Sequence, residues 1–293
     1  MPSNDTSELD SSAPTLPTAT TDFPPKQPSR MSTSTIKKYL LADVDPALST
    51  PPLAAYCFMT GFIDAISFSA VFVWCGFQTG NTVQLSLALA RLFSPGNRDS
   101  SFHIADRQAL CSLLSFISGA FIGRLGDKIG AKTRAWLSLG TFIQALLSMA
   151  AAIAAWKGGQ GSIADNRGDP AWTNALGFVA LGFASASVGL QGIMGKRVNT
   201  QFTTTVVLTT VWCELMADPQ LFTRGYLISR DHKLLAIFSL FLGGFVGRAL
   251  LDQVGSAGAF GIGTGFRVLI AISWLWVPAK VQERSKSSKK QLG

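Results

Sequence analysis

The chain has 293 residues, of which 47% are hydrophobic and only 14% charged, and its net charge is +8. That composition excludes an ordinary soluble domain, because the charges gather in short clusters and the apolar stretches between them approach the ~20 residues a helix needs to cross a bilayer. A nucleic-acid face is excluded too, since Lys and Arg sit at segment ends and in the tail, as positive-inside sorting produces.

The first 50 residues are rich in Ser, Thr and Pro and contain no apolar signal-peptide core. Residues 1 to about 35 have too little apolar surface to offset ordering entropy, which predicts a disordered cytosolic tail. Residues 36–44 (IKKYLLADV) fit either a short amphipathic helix on the membrane surface or a plain linker before Pro51 and Pro52. Eight apolar segments follow, at 53–77, 79–93, 109–122, 135–156, 172–194, 202–217, 234–246 and 257–277. A polar linker, 157–170, separates a first half (51–156) from a second (171–278), and a basic tail covers 279–293. The fold expected is all-α: a polytopic transmembrane helix bundle of two similar halves, with about six spans and two short partial or additional ones.

The likeness of the halves is local but ordered. Residues 115–124 read SFISGAFIGR and residues 239–248 read SLFLGGFVGR, each followed by an Asp and a Gly. A weaker match pairs Gly61 and Phe62 with Gly182 and Phe183, and carries Thr79 and Thr82 onto Thr200 and Thr203. Within the strong match, Gly119 with Gly123 and Gly243 with Gly247 are spaced to share one helix face, which predicts close helix packing. The segments 79–93 and 202–217 are short and polar, so each is a full span or a re-entrant helix. The basic loop 124–134 favours six crossings with both termini in the cytosol.

Asp64 is the one acid deep within the first long segment. A carboxylate at a helix centre costs at least ~2.5 to 3.5 kcal/mol unless protonated, paired or wet, so it is either functional or a structural hydrogen-bond acceptor. Gln78, Thr79, Gly80, Asn81, Thr82 and Gln84 form a polar break between apolar segments; Gln191, Asn199, Thr200, Gln201 and Thr203 stand in the corresponding region of the second half. The two breaks either face each other as a central solute or ion site or are ordinary capped loops. Glu214, Arg248 and Arg267 are candidates to pair with each other or with Asp64. The four cysteines, Cys57, Cys75, Cys111 and Cys213, lack metal or redox spacing and read as small buried hydrophobes. His103 and His232 lack a second ligand at helical spacing.

The run GRLGDKIGAK at 123–132 resembles the Gly-x-Leu-x-Asp-Arg/Lys-x-Gly-x-Arg/Lys loop of the major facilitator superfamily. That resemblance implies a conformational role, by pairing across helix ends, for Arg124, Asp127 and Lys128, and in the second copy for Arg248 and Asp252. A simple positive-inside loop would read much the same. Over a longer stretch, TGFIDAISF at 60–68, QTGNTVQLSLAL at 78–89 and GRLGDKIG at 123–130 resemble the YoaK-like family of multi-pass membrane proteins. The resemblance runs through most of 53–277 and implies about six or seven spanning helices with no established activity.

The expected function is transport of a small molecule or ion, with Asp64 as a proton-linked or ion-coordinating carboxylate. The alternative is a non-transporting membrane scaffold whose tails and Gly-rich faces bind partners. No nucleophile, base or metal set accompanies the buried acids, so an enzyme is not expected, nor a cofactor or metal. The partners expected are the lipid bilayer, an unknown small solute or ion, and a second copy of the chain.

Overall fold

A computed structural model describes residues 33–95, 100–166, 171–200 and 205–280. The Ser/Thr/Pro-rich stretch 1–32, the basic tail from 281 onward, Gln201 and Thr203 lie outside the described residues. The described chain is all helical apart from connections: α1 (Thr33–Leu40), α2 (Thr50–Val71), α3 (Gln78–Ala90), α4 (Ile104–Ile122), α5 (Leu125–Ile129), α6 (Arg134–Gly158), α7 (Ala175–Val198), α8 (Thr209–Met216) and α9 (Ile228–Trp276). Five of these runs are long and apolar enough to cross a membrane, starting at Thr50, Ile104, Arg134, Ala175 and Ile228.

The last run has 49 residues, about 70 Å at 1.5 Å per residue and twice the thickness of hydrocarbon. It is not continuous. Gly255 takes φ 68° and ψ 177°, a backbone state open to glycine, and separates an arm ending at 254 from one beginning at 256. Ser162 closes the break, its Oγ accepting from Ser256 N at 2.8 Å.

Two ends of the bundle follow from the hydrogen bonds. At one, here the lower end, single bridges join Asp43 to Thr133 and Val44 to Ala279, gathering the starts of α2 and α6 and the close of α9. At the upper end, Ala164 N and Ala171 N donate to Ser69 O and Ala70 O, bringing the close of α2 to the α6–α7 connection. Residues 36–40 fall in α1 and Asp43 and Val44 in the bridges, so the stretch is part helix and part connection; Tyr39 lies under the guanidinium of Arg134, which is 4.2 Å from its ring centre. Two expected spans are shorter than read from sequence. The first long helix stops at Val71, where Phe72 turns left-handed (φ 57°), and in the described part of the 202–217 stretch, 205–217, the helix is α8.

Small residues set the tightest crossings. A Cβ placed on Gly243 of α9 would lie 1.9 Å from Phe58 O of α2, and one on Gly61 would lie 2.0 Å from Leu240 O. Between α4 and α7 the same contact recurs: a Cβ on Gly119 would lie 1.9 Å from Ala186 O, and one on Gly189 would lie 2.1 Å from Phe116 O. Gly123 and Gly247 extend these faces against Ile193 and Phe62. The counterpart of Gly61 in this contact is therefore Gly189, about two turns beyond Gly182, which instead faces Ser115. Without a hydrophobic drive between helices in lipid, such backbone approach supplies the dispersion contact that holds them. Gly119→Ala and Gly243→Ala should each destabilise the protein by about 1–3 kcal/mol or more, seen as a lower melting temperature in detergent; Gly261→Ala, with open space around it, should not.

Candidate functional site

Residues 72–77 do not continue upward after α2 but fold back beside it. An aromatic stack forms the reversal, with Phe68 lying flat on Trp74 at 3.9 Å between ring centres and edge-on to Phe72 at 5.5 Å. Asp64 then accepts from Gly76 N at 2.7 Å, so the chain has re-entered the bundle by about 10 Å relative to the close of α2. Gly76 has no room for a side chain here: its Cβ would meet Asp64 Oδ2 at 2.9 Å and Thr60 Cγ2 at 3.1 Å. From this depth α3 climbs back to the upper end, where Arg91 pairs with Asp106 at the start of α4.

The other break re-enters from below. α7 closes on left-handed Asn199, and by Thr205 the chain is back beside Gly195, with Val206 beside Gly192. Thr60 donates to Thr205 O at 2.9 Å, while Gln191 Nε2 donates to Thr60 Oγ1 at 2.8 Å and Tyr56 O at 2.9 Å. α8 then returns to the lower end, where Glu214 faces Lys233 at 3.9 Å. The two reversals touch: Val206 stands 3.4 Å from the Cβ position of Gly76. Asp64, Trp74, Phe77, residues 206–209, Trp212 and Leu240 line an open cavity of about 300 Å³. Neither half-helix has a side-chain cap at its N-terminus.

Beside this cavity lies a larger one of about 670 Å³ on the flank between α2 and α9, again lined by Asp64, Trp74, Trp212 and Leu240. Gly61, Ala65 and Gly244 form its floor, and exposed Phe241 and Phe245 its rim. A third cavity, about 660 Å³, opens at the lower end among Thr50, Asn199, Thr200, Thr210, Glu214, Tyr226 and His232. Thr209 and Thr210, adjacent in the first turn of α8, line the inner and the lower cavity respectively.

The residues singled out from sequence thus divide. Asp64 and Gln191 are brought within one helical turn of each other through Thr60. Gln78 and Asn81 lie next to them but their amides are engaged: Gln78 Nε2 donates to Cys75 O and Ser112 Oγ, and Asn81 Nδ2 to Trp74 O and Gln78 Oε1. Thr79 and Thr82 are exposed on α3 and do not line the cavities at Asp64. Asn199 and Thr200 belong to the lower cavity.

Glu214, Arg248 and Arg267 pair neither with one another nor with Asp64, whereas Asp127 does pair across helix ends. Arg248 binds Asp252 one turn along α9, Glu214 faces Lys233, and Asp127 pairs with Arg197 at the foot of α7. Arg124 instead stacks over Phe121, while Lys128 stays exposed on α5. Arg267 is fully buried and, among the described residues, binds the neutral groups Gln144 Oε1 and Ser187 Oγ. Nearby, the buried Tyr56 hydroxyl meets Thr141 Oγ1 and accepts from Trp274 Nε1. This polar interior between α2, α6, α7 and α9 went unread, although Gln144 interrupts an apolar run and hinted at it. Of the cysteines, Cys57 and Cys75 are buried, but Cys213 is exposed on α8.

A family model described as a protein of unknown function, DUF1275, matches residues 53–273, from the first turn of α2 to the last turn of α9. The chain belongs to that family. No curated protein and no solved structure matches the chain. DUF1275 agrees with the expectation of an uncharacterised family; it does not carry the YoaK-like name, and its description assigns no activity.

In this DUF1275 chain the Asp64 carboxylate holds non-helical backbone at depth, where an N–H without a partner costs several kcal/mol. Asp64→Ala should therefore raise amide hydrogen exchange across residues 72–77, whereas Asp64→Asn, which keeps an acceptor for Gly76 N, should leave it near wild type. Equal exchange in all three would show that the carboxylate does not hold the turn.

Proposed function

We propose that this DUF1275 protein crosses the membrane six times and moves a small solute through the place where its two reversals meet. The observation that carries the reading is the pairing of half-helices: α3 and α8 enter from opposite ends, uncapped, and stop beside one intramembrane carboxylate. Non-helical backbone at membrane depth is tolerated where protein buries it or where it lines a cavity, and discontinuous helices are where transporters build solute sites. The recurring Gly contacts of α2 with α9 and of α4 with α7 support a duplication, with the halves inverted.

Orientation follows from charge. The lower end carries Lys37, Lys38, Arg124, Lys128, Lys196 and Arg197, against Arg91, Arg107 and Lys157 near the upper one, so the lower end and both termini face the cytosol. The lower cavity is then a cytosolic vestibule, and Thr209–Thr210 the step from it to Asp64.

The test is uptake into proteoliposomes from a panel of small organic cations, carboxylates, neutral amphiphiles and monovalent ions. At least one solute should accumulate above empty vesicles, and Asp64→Asn should slow it by roughly tenfold or more, the effect of ~1.4 kcal/mol on a barrier. Undiminished flux through the Asn protein would remove Asp64 from the pathway.

A further inference from the structure

The flank cavity narrows what the site takes. It is a groove on the side of the bundle over the crossing of α2 and α9, where Gly61, Ala65 and Gly244 are too small to fill it. Its rim, Phe241 and Phe245, is 70% and 64% exposed, and an apolar flank at this depth faces lipid rather than water. A solute reaching Asp64 by this route arrives from the hydrocarbon, so its body must be apolar.

The charge at the inner end is set by what surrounds Asp64. Arg248, the other charged residue of the lining, is bound to Asp252 and contributes a neutral pair. The first N–H groups of α3 are partly engaged, Gln78 N with Gly76 O and Gly80 N with Phe77 O. That leaves the short α8, whose N-terminus offers at most about half a positive charge, less than the carboxylate carries when ionised. Trp74 and Trp212 line both cavities at Asp64, and aromatic faces attract desolvated cations.

The geometry points to an amphiphilic organic cation, entering sideways from the bilayer along the groove over the α2–α9 crossing, with its charge on Asp64 and its apolar groups against Trp74 and Trp212. This substrate class rests on the translocation reading above only for its movement; the binding stands on the cavity alone.

Tetraphenylphosphonium and tetraphenylborate, equal in shape and opposite in charge, test it by equilibrium binding to the full chain in lipid nanodiscs. The phosphonium should bind saturably at one site per chain, and Asp64→Asn and Trp212→Ala should each weaken it roughly tenfold or more. Both variants should keep the wild-type melting temperature, since Asn retains the acceptor for Gly76 N and Trp212 is half-exposed. Phosphonium binding that does not saturate, borate binding as tight, or unchanged binding by the Asn variant would each overturn the cation assignment. If a solute other than a cation is nevertheless carried in an Asp64-dependent way, the substrate class fails and the translocation reading survives. If the phosphonium binds but nothing is carried, the site stands and translocation fails.

Discussion

In hydrocarbon every backbone N–H and C=O must find a partner within the protein, and this constraint organises the rest of the structure. The helices satisfy it internally; residues 72–77 and 205–208 do not. Asp64 supplies one acceptor, to Gly76 N, and Thr205 O receives its donor from Thr60, one turn away on the same helix. α2 is thus the post to which both reversals are tied. It also packs against α9 at Gly61, Gly243 and Gly247, so the post is itself fixed by backbone contact.

The same arrangement carries the proposed chemistry. A carboxylate that only capped a loop would be a structural detail, but here it borders two cavities and stands where half-helices from opposite ends meet. Gln191 reaches this place from α7 through Thr60, and Trp74 and Trp212 wall it from the two reversals. The functional reading rests on that convergence rather than on membership of DUF1275, whose description assigns no activity.

The sequence was most legible where chemistry is local. Apolar length announced the long helices, and Gly119, Gly123, Gly243 and Gly247 announced helix faces, because one turn of spacing decides both. Partial helices were legible only as short polar segments, and nothing local distinguished re-entry from crossing. Gly255 was hidden for a similar reason: glycines are frequent in these helices, and only the left-handed backbone and Ser162 mark this one as the break. Partners were the least legible feature. Arg267 was one of three candidates to pair with Asp64 or with one another, yet it faces Gln144 and Ser187 among α6, α7 and α9, while Asp64 faces the reversals and α9's first arm. Which side of a buried helix a charge occupies depends on the packing of every neighbour.

Sidedness of the connections tests the account most directly, because re-entry of α3 and α8 fixes which loops share a side. Single cysteines at Ser101, Lys128, Asn166 and Gln220, in a chain freed of its four native ones, would be labelled with an impermeant maleimide in sealed vesicles. The account predicts that positions 101 and 166 react from one side and 128 and 220 from the other. If 101, 166 and 220 react together and 128 alone from the opposite side, α3 and α8 cross completely, and the two reversals do not meet at Asp64.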